Sequence, residues 1–234
     1  MTGVVIWIEA PVIWAASTGG RIMKVVRLQL ALQTAILAIV FAAASRAEDV
    51  GKRDLQAKLE YCKTCHGVLG QGYRGASPMP RLAGQQTEYF ENQLRAFVDR
   101  RRENKFMFGV AHVLSPAMIT GLATHFGDLN PKPLGGAPRE LVATGKKIFE
   151  EGVPGADVPP CSSCHGPEAK GNGVFPRLAG QLHDYVFNKL VNWNKERGQG
   201  PAKDDDPSAI MQPIAHSLTE PQIRAVATYL SYLE

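Results

Sequence analysis

Apolar residues recur at helical spacing along most of the chain. The clearest run covers 87–102, where Phe90, Leu94 and Phe97 fall on one face. Shorter amphipathic runs cover 54–61 and 139–150, and the last run carries an apolar stripe of Ile223, Val226, Ala227, Leu230 and Leu233. Ser115 and Thr219, each followed closely by a proline, are typical of helix starts. No segment alternates as a half-buried strand would, so the pattern predicts an all-α protein.

The N-terminal residues have the pattern of an export signal. Lys24 and Arg27 precede an apolar run over 28–44, and Ser45-Arg46-Ala47 follows it. We therefore expect residues 1–47 to be an N-terminal extension and a signal peptide cleaved after Ala47, with Met23 as the true start. A retained membrane anchor is the alternative for this run.

The charge of the chain depends on that segment. The 234 residues include 26 Lys and Arg against 22 Asp and Glu, a formal net charge of +4. Residues 1–47 contain four of the bases and one of the acids, which leaves 22 bases and 21 acids afterwards. A nearly neutral mature chain gives no support to nucleic-acid binding.

The rest of the chain is a duplication. The segment Pro-Arg-Leu-Ala-Gly-Gln occurs at 80–85 and again at 176–181, and residues 106–126 align without a gap to 210–230 with seven identities. A stretch rich in proline and glycine at 131–138 separates the copies. We predict a first domain at 48–130, a linker at 131–138 and a second domain at 139–234.

Each copy begins with a cysteine motif of specific meaning. Cys62-Lys63-Thr64-Cys65-His66 recurs as Cys161-Ser162-Ser163-Cys164-His165, and Cys-x-x-Cys-His is the attachment sequence of c-type haem. A zinc site would leave both histidines unexplained, and a thioredoxin-type pair needs a β-α-β setting that the pattern lacks. Paired disulfides would not explain the histidine after each motif. The sequence predicts two covalently bound haems, with His66 and His165 as iron ligands.

The second iron ligand is predicted from the alignment of the copies. Met107 aligns with Met211, whereas Met79 and Met118 align with no methionine, so Met107 and Met211 are the preferred ligands. His112 and His216 also align and remain the alternative, with a structural role as the other interpretation.

Two further pairs are candidates for contacts with the haem. The carbonyls of Pro80 and Pro176 are expected to accept a hydrogen bond from the iron-binding histidines. Arg81 and Arg177 are expected either to pair with haem propionates or to be solvated.

These features together resemble the cytochrome c4 family, and the resemblance covers 48–234. It rests on both cysteine motifs, both Pro-Arg-Leu-Ala-Gly-Gln segments, the late methionines and the final helices. It implies two tandem class I cytochrome c-like domains, each wrapped around one haem with histidine and methionine ligands. It also implies a periplasmic protein that passes electrons from a quinol-oxidising complex to a terminal oxidase. An acidic run at 203–206 distinguishes the loop before Met211 from the basic loop before Met107 in the first copy.

The expected function is electron transfer and not catalysis, because irons with two protein ligands leave no position for a substrate. The haem-containing, electron-accepting subunit of a dehydrogenase complex, such as flavocytochrome c sulfide dehydrogenase, is the alternative. A two-haem enzyme is a third hypothesis, and peripheral membrane association also stays open. The basic run 100–102 is interpreted either as a solvated helix end or as a docking patch for an acidic redox partner.

Overall fold

The computed structural model describes residues 19–197 and 206–234, and for part of 19–50 only the backbone. The first 18 residues of the predicted N-terminal extension and most of the acidic run at 203–206 lie outside this range. The chain divides into two compact units, Met1–Arg53 and Asp54–Glu234. Both copies of the repeat belong to the second unit. Below, "first half" means 54–130 and "second half" means 139–234.

The described residues form ten α-helices and three short 3-10 helices. The α-helices are α1 Gly19–His66, α2 Thr87–Val98, α3 Lys105–Ala111, α4 Pro116–Gly127, α5 Val142–Glu151, α6 Ser162–His165, α7 His183–Val191, α8 Trp193–Arg197, α9 Met211–Ser217 and α10 Glu220–Tyr232. The 3-10 helices cover Arg139–Leu141, Pro154–Ala156 and Pro207–Ile210. Extended pairing in these residues is limited to three isolated bridges. The prediction of an all-α fold is confirmed.

Two helix starts form as the sequence predicts. The Ser115 side chain accepts a hydrogen bond from the backbone N–H of Met118 at the start of α4. Thr219 and Gln222 form a reciprocal capping box at the start of α10. These local contacts satisfy N–H groups that have no partner inside the helix.

One predicted helix ends earlier than expected. The run 87–102 was expected to be helical throughout, but α2 stops at Val98. Arg100 adopts a left-handed conformation with φ of 60°, which a helix cannot accommodate. The backbone therefore turns after Asp99, and the following residues leave the line of the helix.

Each half has its own apolar core. In the first half, α2 packs against α3 and α4, and its core includes the stacked rings of Phe90 and Phe126. In the second half, α10 packs against α5 and α7, and its core includes Phe149 and Leu230. The equivalence of the cores agrees with the duplication, while the domain boundaries around 131–138 stay a prediction.

No single helix within 19–197 and 206–234 has the length and apolar character needed to cross a membrane. The pair α3 and α4 meets those two criteria together, with a bend of 111° between them.

Candidate haem sites

The two cysteine motifs lie at helical turns. His66 is the last residue of α1, and the second motif forms the short helix α6, which ends at His165. All four cysteines are free of disulfide bonds. Burial raises the pKa of the Cys62 and Cys161 thiols to about 11, so both stay protonated in the absence of a bond to another group. Each sulfur is thus available for thioether formation.

The histidines of the two motifs have the same environment. His66 is 8% exposed and His165 is 5% exposed. Nδ1 of His66 lies 2.8 Å from the Pro80 carbonyl oxygen, and Nδ1 of His165 lies 2.9 Å from that of Pro176. A carbonyl can only accept, so Nδ1 carries the proton in both rings. Burial lowers the pKa of both histidines, which keeps the imidazoles neutral with a lone pair on Nε2.

A loop of the same geometry brings each proline carbonyl to its histidine. The Gly70 carbonyl accepts from the N–H groups of Leu82 and Ala83, and the Ala169 carbonyl accepts from those of Leu178 and Ala179. In the second loop Gly171 has φ of +73°, and a Cβ there would lie 2.4 Å from the Phe175 carbonyl oxygen. Glycine is therefore required for the close approach of the two strands of this loop.

The two predicted methionine ligands are both half-buried, and each lies in the first turn of a short helix. Met107 lies in α3, where its N–H donates to the Asn104 side chain, and it packs on the core that also contacts Cys62. Met211 is the first residue of α9. The assignment of both sulfurs to iron stays a prediction.

The alternative histidines are exposed. His112 lies on the surface with Nδ1 3.1 Å from the Phe108 carbonyl oxygen, and its ring stacks on that of Phe108. His216 is exposed at the end of α9. Their surroundings favour the structural interpretation over iron ligation, which prefers a sequestered side chain.

Arg81 and Arg177 are buried between the halves and not solvated. The Nε atoms donate to the carbonyls of Ala83 and Ala179, and an Nη2 of each lies near Asn130 Oδ1, at 3.3 and 3.4 Å. Burial, with a smaller effect of Arg177, lowers the pKa of Arg81 to about 10. Nη1 of Arg81 is buried without a hydrogen-bond partner in the described residues.

The basic run is neither a solvated helix end nor a free docking patch. Arg102 is 7% exposed and donates to Gln93 and, across the halves, to the Tyr185 hydroxyl at 2.7 Å. Arg101 pairs with Asp206 of the second half at 3.0 Å. Arg100 alone of the three is open, with its guanidinium 3.8 Å from the centre of the Phe108 ring.

Sequence reasoning missed the two glutamines that close the repeated segment. Gln181 bonds to the backbone of Arg81, and Gln85 bonds to the backbone of Arg177, so each half holds the other through the same residue. The exact repetition of the segment through its final glutamine was the available signal.

These residues fit c-type haem on three counts. The cysteines are free for covalent attachment, the histidines present neutral imidazoles with a fixed Nδ1 proton, and a buried guanidinium nitrogen of Arg81 has no partner among the described residues, as a propionate-binding group would. When bound, haem supplies an iron that cycles between ferric and ferrous states and carries one electron.

Comparison with known proteins agrees with this fit. The sequence model of the cytochrome c family matches residues 142–234. Cytochrome c4 of Thiocapsa roseopersicina is 37% identical over 74% of this chain and 86% of its own length. The chain belongs to the cytochrome c4 family.

Two other similarities extend this result. A cytochrome c4 structure from Acidithiobacillus ferrooxidans is 36% identical, with a TM-score of 0.61 over 74% of this chain and 98% of the other. A thiosulfate dehydrogenase electron acceptor of Thiomonas intermedia is 37% identical over 73% of this chain and 77% of its own length. This member of the cytochrome c4 family is therefore an electron-transfer protein and not an enzyme. It has class I cytochrome c folds and covalently bound c-type haems, and it exchanges electrons with redox proteins.

Proposed function

We propose that the chain is a periplasmic carrier with one haem in each half. In the first half, Cys62 and Cys65 form the thioethers, while His66 and Met107 bind the iron. In the second half, the same roles fall to Cys161, Cys164, His165 and Met211. Arg81 is the candidate partner of a propionate because its Nη1 has no hydrogen-bond partner among the residues that the structure describes, and Arg177 is its counterpart in the repeat.

The repeated histidine geometry carries this proposal. Each histidine follows a Cys-x-x-Cys pair, is buried, and donates from Nδ1 to a proline carbonyl at 2.8 or 2.9 Å. Such a contact fixes the ring and raises the basicity of Nε2 as a ligand. With a histidine and a methionine of the chain as its protein ligands, a bound haem iron would offer no position for a substrate, which suits transfer of electrons and not catalysis.

The proposed electron donor is a quinol-oxidising complex, and the proposed acceptor is a terminal oxidase. The membership of the cytochrome c4 family supports this direction. The export pattern of residues 23–47 supports a periplasmic location, where the signal would be removed after Ala47.

A second candidate donor is a dehydrogenase of a sulfur compound. The relative of Thiomonas intermedia is named for accepting electrons from thiosulfate dehydrogenase. A chain of thiosulfate dehydrogenase from Marichromatium purpuratum is 32% identical over 74% of this chain, which spans 36% of that longer protein, with a TM-score of 0.64. In this second candidate function, the chain would itself be the haem-containing, electron-accepting subunit of a dehydrogenase complex, of which flavocytochrome c sulfide dehydrogenase is an example.

Stopped-flow mixing of the oxidised protein with each reduced donor, and of the reduced protein with the terminal oxidase, would separate these candidates. We expect rapid reduction by the quinol-oxidising complex and rapid oxidation by the terminal oxidase, with both rates falling as salt screens the encounter. Rapid reduction by a thiosulfate or sulfide dehydrogenase alone, with stable co-purification, would favour the second candidate.

A further inference from the structure

Two glutamine side chains cross between the halves and bind the same peptide groups that hold the histidines. Gln181 Oε1 accepts from the Arg81 N–H at 2.8 Å, and its Nε2 donates to the Arg81 carbonyl at 3.0 Å. Gln85 repeats this on Arg177 at 2.7 and 3.2 Å. Both glutamines are buried.

The orientation of each amide follows from its partners. Gln181 Oε1 faces two N–H groups, those of Arg81 and Leu182, and Gln85 Oε1 faces those of Arg177 and Gln86. The NH2 group of each faces a carbonyl. Reversing either amide would set donors against donors, so the oxygen of each glutamine lies on the peptide N–H.

That N–H belongs to the peptide unit whose carbonyl accepts from the histidine. The Pro80 carbonyl and the Arg81 N–H are the two ends of one amide, as are the Pro176 carbonyl and the Arg177 N–H. A continuous path therefore runs from His66 Nδ1 through the Pro80–Arg81 amide to Gln181 of the other half. The second path runs from His165 through Pro176–Arg177 to Gln85.

We propose that each glutamine tunes the haem of the opposite half. Hydrogen bonds in a chain polarise one another, so an acceptor on the amide N–H makes the proline carbonyl a stronger acceptor for histidine Nδ1–H. A stronger bond at Nδ1 makes the imidazole a better electron donor through Nε2, which favours ferric iron. Gln181 and Gln85 are thus positioning residues that lower the reduction potential across the interface.

The inference rests on the proposed ligation by His66 and His165, and it makes a crossed prediction. Replacing Gln181 with Met keeps the length of the side chain but removes the acceptor. The haem attached at Cys62 and Cys65 should then become easier to reduce by about threefold in equilibrium constant, or about 30 mV at 59 mV per tenfold change for one electron. The reduction potential of the haem bound by residues 139–234 should change by less than about 50% of that shift. Gln85→Met should give the mirror result.

The test is a redox titration of the holoprotein followed by proton NMR, in which haem methyl resonances report the two irons separately. The His66 Nδ1 proton should also move to lower chemical shift in Gln181→Met, since its hydrogen bond weakens. Gln86→Met is the matched control, because Gln86 also donates across the halves, to the Lys170 carbonyl at 2.9 Å, but touches neither Pro–Arg amide. It should leave the difference between the two potentials unchanged.

Three results would overturn the inference: a shift confined to the haem of the substituted half, equal shifts of both haems, or the crossed pattern in Gln86→Met. If Gln181→Met does not yield holoprotein, Gln85→Met decides, because it removes the matching acceptor on the Arg177 N–H and should raise the reduction potential of the haem in the second half more than that of the haem in the first half. Wild-type spectra without histidine ligation would instead refute the proposed function. Normal ligation without the crossed shift refutes the tuning alone.

Discussion

Arg102 offers a sharp test of how the halves are held together. Its guanidinium is buried, donates to Gln93 at 2.9 Å and to the Tyr185 hydroxyl at 2.7 Å, and lies 4.7 Å from the centre of the Phe97 ring. Hydrogen bonds that involve a charged group contribute roughly 1.5–3 kcal/mol each to stability. Replacing Arg102 with Met keeps the apolar stem but removes both bonds, so we expect a loss of about 3 kcal/mol in the free energy of unfolding.

The partner substitution measures the bond itself. Tyr185→Phe removes only the hydroxyl and should cost about 2 kcal/mol, because it leaves an N–H group of a buried cation unpaired. The double variant should cost about 1.5 kcal/mol less than the sum of the two single losses, since both remove the same interaction. Arg102→Met also removes the contact of the guanidinium with the Phe97 ring, whereas Tyr185→Phe keeps it.

Urea unfolding of the holoprotein, followed by circular dichroism and by haem absorbance, gives these free energies. Arg100→Glu is the control, because Arg100 belongs to the same basic run but is exposed to solvent. This substitution should change the free energy of unfolding by less than about 0.5 kcal/mol. Additive losses in the double variant, or an Arg102→Met variant as stable as wild type, would refute the placement of Arg102 inside the interface.

Two other predictions address attachment and pH. Haem should remain with the polypeptide under acid–acetone extraction, and Cys161→Ala with Cys164→Ala should halve the haem-to-protein ratio measured by absorbance, whereas extraction of both haems from wild type would contradict covalent attachment. Burial raises the pKa of Asp206, but hydrogen bonds from Ser208 and Arg101 outweigh it and leave that pKa below its usual 3.8. The Arg101–Asp206 pair should therefore stabilise the fold above about pH 4 and lose its effect as pH falls through the folded-state pKa. Thermal melting from pH 2 to 7 should show wild type above Asp206→Asn at neutral pH and the two converging in acid, and a constant difference would contradict this sign.

The sequence was sufficient where the determining contacts are local. The histidine and its two cysteines lie within five residues, and the caps at Ser115 and Thr219 are made within three. Helix faces such as Phe90, Leu94 and Phe97 follow directly from the period of the α-helix. Because each of the two copies carries the same motif, the repeat gave a second, independent occurrence of the cysteine motif and of the late methionine.

The interface could not be predicted because its contacts join distant positions. Arg102 meets Tyr185 across 83 positions, and Gln181 meets Arg81 across 100. The left-handed conformation at Arg100 that directs Arg102 inwards has no marker such as glycine in the sequence. A run of three arginines such as 100–102 is typical of a solvated surface. Arg102 is buried by contacts with the second half, and nothing in the neighbouring sequence predicts those contacts.

The most direct test of the haem assignment is the sulfur-to-iron charge-transfer band of the oxidised protein at the red end of the visible spectrum. We expect this band in wild type, about half its intensity in Met107→Ala and in Met211→Ala, and full intensity in Met118→Ala. A wild-type protein without the band, or one whose band disappears with Met118, would contradict the proposed ligands.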